Sequence, residues 1–329
     1  MKCLYFRQVS KSSGNLHRPC SGLRGIKEST VTFIQPLDPP PSKAAGTLGE
    51  GAARVSVAQR DGRSYLDERY FSDPYRIFTP QAAPDEPVSI VLSTLSGGLV
   101  GGDRLSFDGR VKNGAAAQFV GQAAEKVYGS AGPTTHLGYR LSAEAGAWLE
   151  QVPQETILFN HARLDRRFDI HIHSQARALV GDMIVLGRLA MGERFESGAF
   201  ADTWRLFCDE RLTWCDRMGF AGDAIGNAKT STFGLAGAQA FATVLYVGED
   251  AERVVTLIRN SDFDERACAQ GMRLGATCLG GTGEGGSHTL VRLMGPVPQH
   301  VRMLLGEIWK TLRSEMGGYA PRLPTLWTI

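Results

Sequence analysis

The sequence predicts a mainly β protein, and three observations carry that prediction. From position 51 onward, short apolar runs rich in β-branched residues recur at roughly ten-residue spacing. Glycine outnumbers proline 39 to 15, scattered between those runs, which is a composition of many turns. Long helical periodicity is clearest only near the C-terminus.

Taken in order, Val88–Leu95 reads as a strand, and Leu105, Phe107 and Val111 share one parity of the next run. Ala115–Val120, Leu137–Leu141, Ala147–Val152 and Thr156–Phe159 continue the series. Phe168, Ile170 and Ile172 alternate with Asp169, His171 and His173, so the apolar set faces a core and the histidines face solvent. Val180–Gly187, Trp204–Phe207, Leu212–Trp214 and Phe241–Gly248 follow as strands. Helices are expected at Glu252–Asn260, at Asp264–Gly275 with Asp264 as N-cap, and at Pro298–Met316. In the last, Val301, Leu304, Leu305, Ile308 and Leu312 fall on one face, Pro298 suits the first turn and Gly317 suits the stop. Gly280–Gly286 (GGTGEGG) reads as a mobile loop before a strand at Thr289–Leu293.

Residues 1–50 differ from the rest. Residues 1–27 hold six basic residues and no acidic one, yet lack the apolar core of a secretory signal. Pro36–Ser42 (PLDPPPS) is an extended linker. This stretch is expected to be a disordered extension or a start-site artefact, with one domain over 51–329. A net charge of +2 argues against nucleic-acid binding, and no run of 18 apolar residues is present to span a membrane. The six cysteines form no Cys-x-x-Cys pair, so reduced thiols in a cytoplasmic protein are expected, with Cys208 and Cys215 buried in strands.

Catalytic constellations are hard to find. Gly97–Asp103 (GGLVGGD) is glycine-rich, but no Gly-Lys-Ser/Thr follows and the next run alternates like a strand. A tight turn capped by Asp103 is the simpler reading. His171 and His173 share a strand face and offer a metal-chelating alternative. No Gly-x-Ser-x-Gly elbow occurs, and a hydrolase whose carboxylates meet only in space stays open. The absence of a catalytic signature favours a binding or scaffolding role over an enzyme.

Several ordered segments resemble the UreD/UreH family of urease accessory proteins. They are Gly97–Leu105 (GGLVGGDRL), Gln122–Tyr128 (QAAEKVY), Leu149–Phe159 (LEQVPQETILF) and Leu186–Phe195 (LGRLAMGERF), with closing matches at Arg292–Gly295 and Trp309–Arg313. The chain departs from the pattern at Val120 and Gly121, where threonines are usual, and at Gly129, where arginine is usual. The resemblance implies a large domain of stacked or helically wound strands with a few helices. It implies a non-enzymatic scaffold that acts with a UreF-type protein and a UreG-type GTPase on apo-urease. Nickel would pass in transit through an internal passage in a GTP-dependent process, with no tightly bound cofactor. Carboxylates suit such a route because thiolates would hold the ion too tightly. The matching blocks offer Asp103, Glu193, Glu150 and Glu155, and Asp182 lies just before the last large block. Asp103 and Glu193 are the first choices; capping turns or pairing with Arg104, Lys126 or Arg188 is their competing role.

Overall fold

The computed structural model describes residues 49–83, 85–222, 224–280 and 287–327. The N-terminal extension and nearly all of the loop Gly280–Gly286 fall outside the described residues.

Two hairpins open the fold. β1 (Glu50–Arg60) and β2 (Arg63–Phe71) pair at the edge of a first sheet, and β3 (Tyr75–Phe78) and β4 (Val88–Thr94) at the edge of a second. The chain then winds between the sheets. β5 (Arg104–Val111) lies parallel to β1 in the first, and β6 (Ala116–Gly121) parallel to β4 in the second. After the short β7 (Glu125–Val127), β8 (Thr135–Ala143) and β9 (Trp148–Val152) repeat the step. After β10 (Glu155–Leu158), β11 (Arg163–Ile172) and β12 (Arg177–Arg188) repeat it again. The two-residue β13 (Glu193–Arg194) leads to β14 (Ala199–Cys208), parallel to β11, and β15 (Arg211–Ala221) turns back to close the first sheet. Past α1 (Ala224–Thr230), antiparallel strands extend the second sheet. They are β16 (Ala240–Val247), β17 (Arg273–Leu279) and β18 (His288–Gly295), with α2 (Ala251–Arg259) and α3 (Phe263–Ala269) between the first two. α4 (Pro298–Gly317) ends the fold. This is the stacked, helically wound β domain that the resemblance implied.

Parallel coils in register stack equivalent side chains. On the inner face of the first sheet, Phe107, Tyr139, Phe168 and Trp204 are successive register partners. Their rings form a ladder, with centroids 4.6 Å apart for Tyr139–Phe168 and 4.4 Å for Phe168–Trp204. Gly109 opens room in the neighbouring row: a Cβ there would approach the Phe119 ring to 3.0 Å. The space between the sheets is the main core, and a second core lies between the second sheet and α2, α3 and α4.

α4 buries Val301, Leu304, Leu305, Ile308 and Leu312, the face its spacing predicts. Its stop falls one residue later than expected: Gly317 is helical, and Gly318 takes the left-handed φ of 74°. The helix expected over Asp264–Gly275 is shorter, ending at Ala269, with Asp262 rather than Asp264 preceding it. The remainder is strand, because Leu274, Ala276 and Cys278 alternate onto the helix-side core. Cys208 is buried as expected; Cys215 is exposed, since it lies opposite Arg205 on the uncovered outer face of the first sheet. No helix among the described residues is long and apolar enough to cross a membrane.

Candidate metal path between the sheets

Strand alternation should fill the inter-sheet space with apolar side chains, yet a file of polar groups runs through it. At its centre is Arg166 of β11, only 1% exposed. Its register partner on β14 is Asp202, and Asp182 of β12 reaches it from the second sheet. Arg166 Nη1 and Nη2 donate to Asp182 at 2.8 and 2.5 Å, and Nε and Nη2 donate to Asp202 at 3.0 and 2.9 Å. Nη1 also donates to Thr156 Oγ1 at 3.1 Å, so every guanidinium N–H is engaged. Burial works against the charge on Arg166, but the two aspartates outweigh it and hold its pKa above the ordinary arginine value.

Two arms lead away from this centre. On one side is Tyr139, whose pKa is raised by burial and then by the charge of Glu125 of β7, with Arg166 opposing and Asp182 and Asp202 adding. Glu125 Oε2 accepts from Thr94 Oγ1 at 3.2 Å. Burial lifts its pKa to about 7, with the Thr94 bond opposing and the negative charge of Asp103 adding to the lift. On the other side, Trp204 Nε1 donates to Asp202 at 2.9 Å. Asp202 and Trp204 form the inner wall of a cavity of about 280 Å³. Asp216, Arg292 and Thr243 line it as well, as does Phe233, which is 90% exposed. Asp216 and Arg292 form an ion pair there, joining the two sheets.

Comparison with known proteins bears on what this file serves. The family model described as UreD urease accessory protein matches residues 49–328. The chain is 36% identical over 280 residues to the urease accessory protein UreD of Magnetococcus marinus, covering 85% of this chain and 94% of that one. UreD 1 of Brucella melitensis biotype 1 is 36% identical over 279 residues, with the same coverage. UreD of Granulibacter bethesdensis is 38% identical over 248 residues, covering 75% of this chain and 98% of its own.

This chain belongs to the UreD family.

Membership places it in urease maturation as an accessory protein. The blocks that carry the UreD resemblance border the polar file: Gln122–Tyr128 contributes Glu125, and Leu149–Phe159 contributes Thr156.

The five carboxylates picked out from the UreD resemblance do not converge. Asp182 alone lies in the inter-sheet file. Asp103 sits at the strand ends beside the Glu125 arm, near enough for its charge to act on Glu125. Its Oδ2 accepts the Val100 N–H at 2.9 Å, capping the glycine-rich turn. Three further turn amides are engaged as well: Leu99 N donates to Lys126 O, Gly102 N to Thr134 O and Asp103 N to Val100 O. Amides already bonded to protein carbonyls do not cradle a phosphate. Gly98 is required there, because its φ is 145° and a Cβ would lie 2.5 Å from the Tyr128 ring.

Glu193 accepts from Asn160 N at 3.1 Å and pairs with Arg188 Nε at 2.5 Å, at a shallow surface depression. Glu150 and Glu155 lie on the other side of the second sheet, under α4. Glu150, fully buried, accepts from Trp309 Nε1 at 2.7 Å and has Arg313 Nε 3.7 Å away. Burial raises its pKa, with Arg313 opposing. Glu155 pairs with Arg302 of α4.

The histidine pair does not form a chelate. His171 stacks on Phe207 at 4.5 Å on the outer face, while His173, beyond the strand end, accepts a backbone N–H from Gln175 at 3.1 Å. Among the described residues, no group of three or more His, Cys, Asp or Glu side chains is arranged to hold a metal.

Arg166, Asp202, Glu125 and Tyr139 were not singled out from sequence. A signal existed for two of them. Arg166 shares the parity of Leu164, Phe168 and Ile170, and Asp202 that of Phe200, Trp204 and Leu206. A charge on the apolar parity of a strand is a buried charge, and buried charges need partners.

Proposed function

We propose that this UreD-family chain is a non-catalytic scaffold that works with a UreF-type protein and a UreG-type GTPase and passes nickel between its two sheets into apo-urease, in a GTP-dependent process. The observation that carries the reading is the buried Arg166–Asp182–Asp202 cluster between the sheets, with Asp202 in the wall of a cavity that the exposed Phe233 also lines. Its donors are carboxylate and hydroxyl oxygens, which bind nickel weakly enough to release it. Nickel is cargo here, so a closed high-affinity site would defeat the purpose. The negative charge of Asp103 acts on Glu125, which supports an approach from that end.

Complementation tests the proposal. The resident accessory gene is deleted from a urease operon and this chain is supplied with the partner proteins. Restored urea hydrolysis and restored nickel per urease are expected. Thr243→Trp, which fills the cavity, should then lower both while the protein still co-purifies with its partners. Full activity with the cavity filled overturns the route between the sheets. Failure to bind any of the three partners overturns the scaffold role.

A further inference from the structure

A path for a divalent cation should not have a cation fixed between its inward-facing carboxylates, yet this one does. The Arg166 guanidinium is bonded to both inward-facing aspartates and to Thr156, and it stays charged at any physiological pH. Two carboxylates and one guanidinium carry a net charge of −1. Adding a divalent ion beside the guanidinium sets two cations against each other in a space with little water to screen them. Replacing the guanidinium by the ion gives a neutral arrangement with the same oxygens. Passage therefore requires exchange.

The aspartates, for their part, are not sealed: their side chains keep 10% and 8% exposure, against 1% for Arg166, and Asp202 forms part of the cavity wall. An ion arriving through the cavity would meet Asp202 before it met Arg166.

We infer that Arg166 is the gate of this path, a resident cation that a divalent metal must displace from Asp182 and Asp202. This rests on the proposed route between the sheets. A gate of this kind assigns opening to whatever repositions β11 against β12.

The test uses nickel chloride and the purified full chain, in complex with its partners if it is insoluble alone. Arg166→Met should take up about one nickel per chain where the unsubstituted protein takes up none after desalting. Adding Asp182→Asn and Asp202→Asn to it should abolish that uptake. Arg166→Lys keeps a positive charge between the carboxylates, so it guards against loss of fold. A single ammonium has no planar fork with which to grip both aspartates, so intermediate uptake is expected. In complementation, Arg166→Met should trap nickel and lower nickel per urease several-fold, with Arg166→Lys closer to the unsubstituted chain. Folded Arg166→Met and Arg166→Lys proteins that bind no nickel would overturn the gate. If Thr243→Trp leaves nickel delivery intact, the route fails; if Thr243→Trp blocks delivery but both Arg166 variants deliver normally, the gate alone fails.

Discussion

Glu150 separates a structural carboxylate from one on the proposed metal path, and its replacement gives a graded outcome. The side chain is fully buried between the second sheet and α4, holding Trp309 Nε1 at 2.7 Å with Arg313 Nε 3.7 Å away. Glu150→Ala leaves the Trp309 N–H unsatisfied and Arg313, which still has Glu86, with one fewer carboxylate. Removing one member of a buried pair costs about 3–5 kcal/mol. In a domain of this size each kcal/mol is worth about 2–4 °C, so a fall in melting temperature on the order of 10 °C is expected. Glu150→Gln keeps an acceptor for Trp309, and its loss should stay near 1 kcal/mol. The assay is thermal unfolding of each variant alongside nickel per urease in complementation. Glu150→Gln should deliver nickel as the unsubstituted chain does. A Glu150→Gln protein of normal stability that delivers no nickel would refute the assignment of this residue to helix anchoring, as would a Glu150→Ala protein that melts normally.

Four further outcomes are expected. The Glu125 carboxyl titrates near 7 in the folded chain against an ordinary value of 4.5, so the folded state binds more protons and stability falls as pH rises from about 4.5 to 7; denaturant unfolding at several pH values should show Glu125→Gln flattening that slope, and an unchanged slope would contradict the buried position. Asp103→Ala and Glu193→Ala should fold and lower nickel per urease, singly or together, while unchanged nickel in the double variant removes both from the route. Asp103→Ala should also cost about 1 kcal/mol through the lost Val100 cap, read by thermal unfolding. Gly98→Ala forces a Cβ into the Tyr128 ring at a φ of 145° and should cost about 2–4 kcal/mol; a normal melting curve would show that the turn rearranges freely.

Legibility varied by element. α4 was readable because Val301, Leu304, Leu305, Ile308 and Leu312 repeat at helical spacing over about three turns of chain, and a local pattern of that length has few alternatives. The Asp264–Gly275 segment misled because its apolar residues suit either period; packing of Leu274, Ala276 and Cys278 against the helix-side core selected strand. The glycine-rich segment was readable as a turn, since its glycines precede an alternating run rather than a helix. Cys215 was not, because nothing local tells which face of an edge strand is covered.

The sequence by itself determined that strands dominate, where the long helix lies and, through four ordered blocks, that the chain belongs with UreD proteins. Those are properties of neighbouring residues, set by side-chain periodicity and by short motifs. Tertiary structure decided which carboxylates meet. Asp182 and Asp202 are joined through Arg166 because parallel coils place β11 beside β14 in one sheet and β12 across the core in the other. Glu150 and Glu155 carry the same charge in an equally matched block, yet strand parity turns them to the opposite side of the second sheet. A buried charge is stable only with its partner, and the partner is chosen by how sheets stack, which no short stretch of sequence encodes.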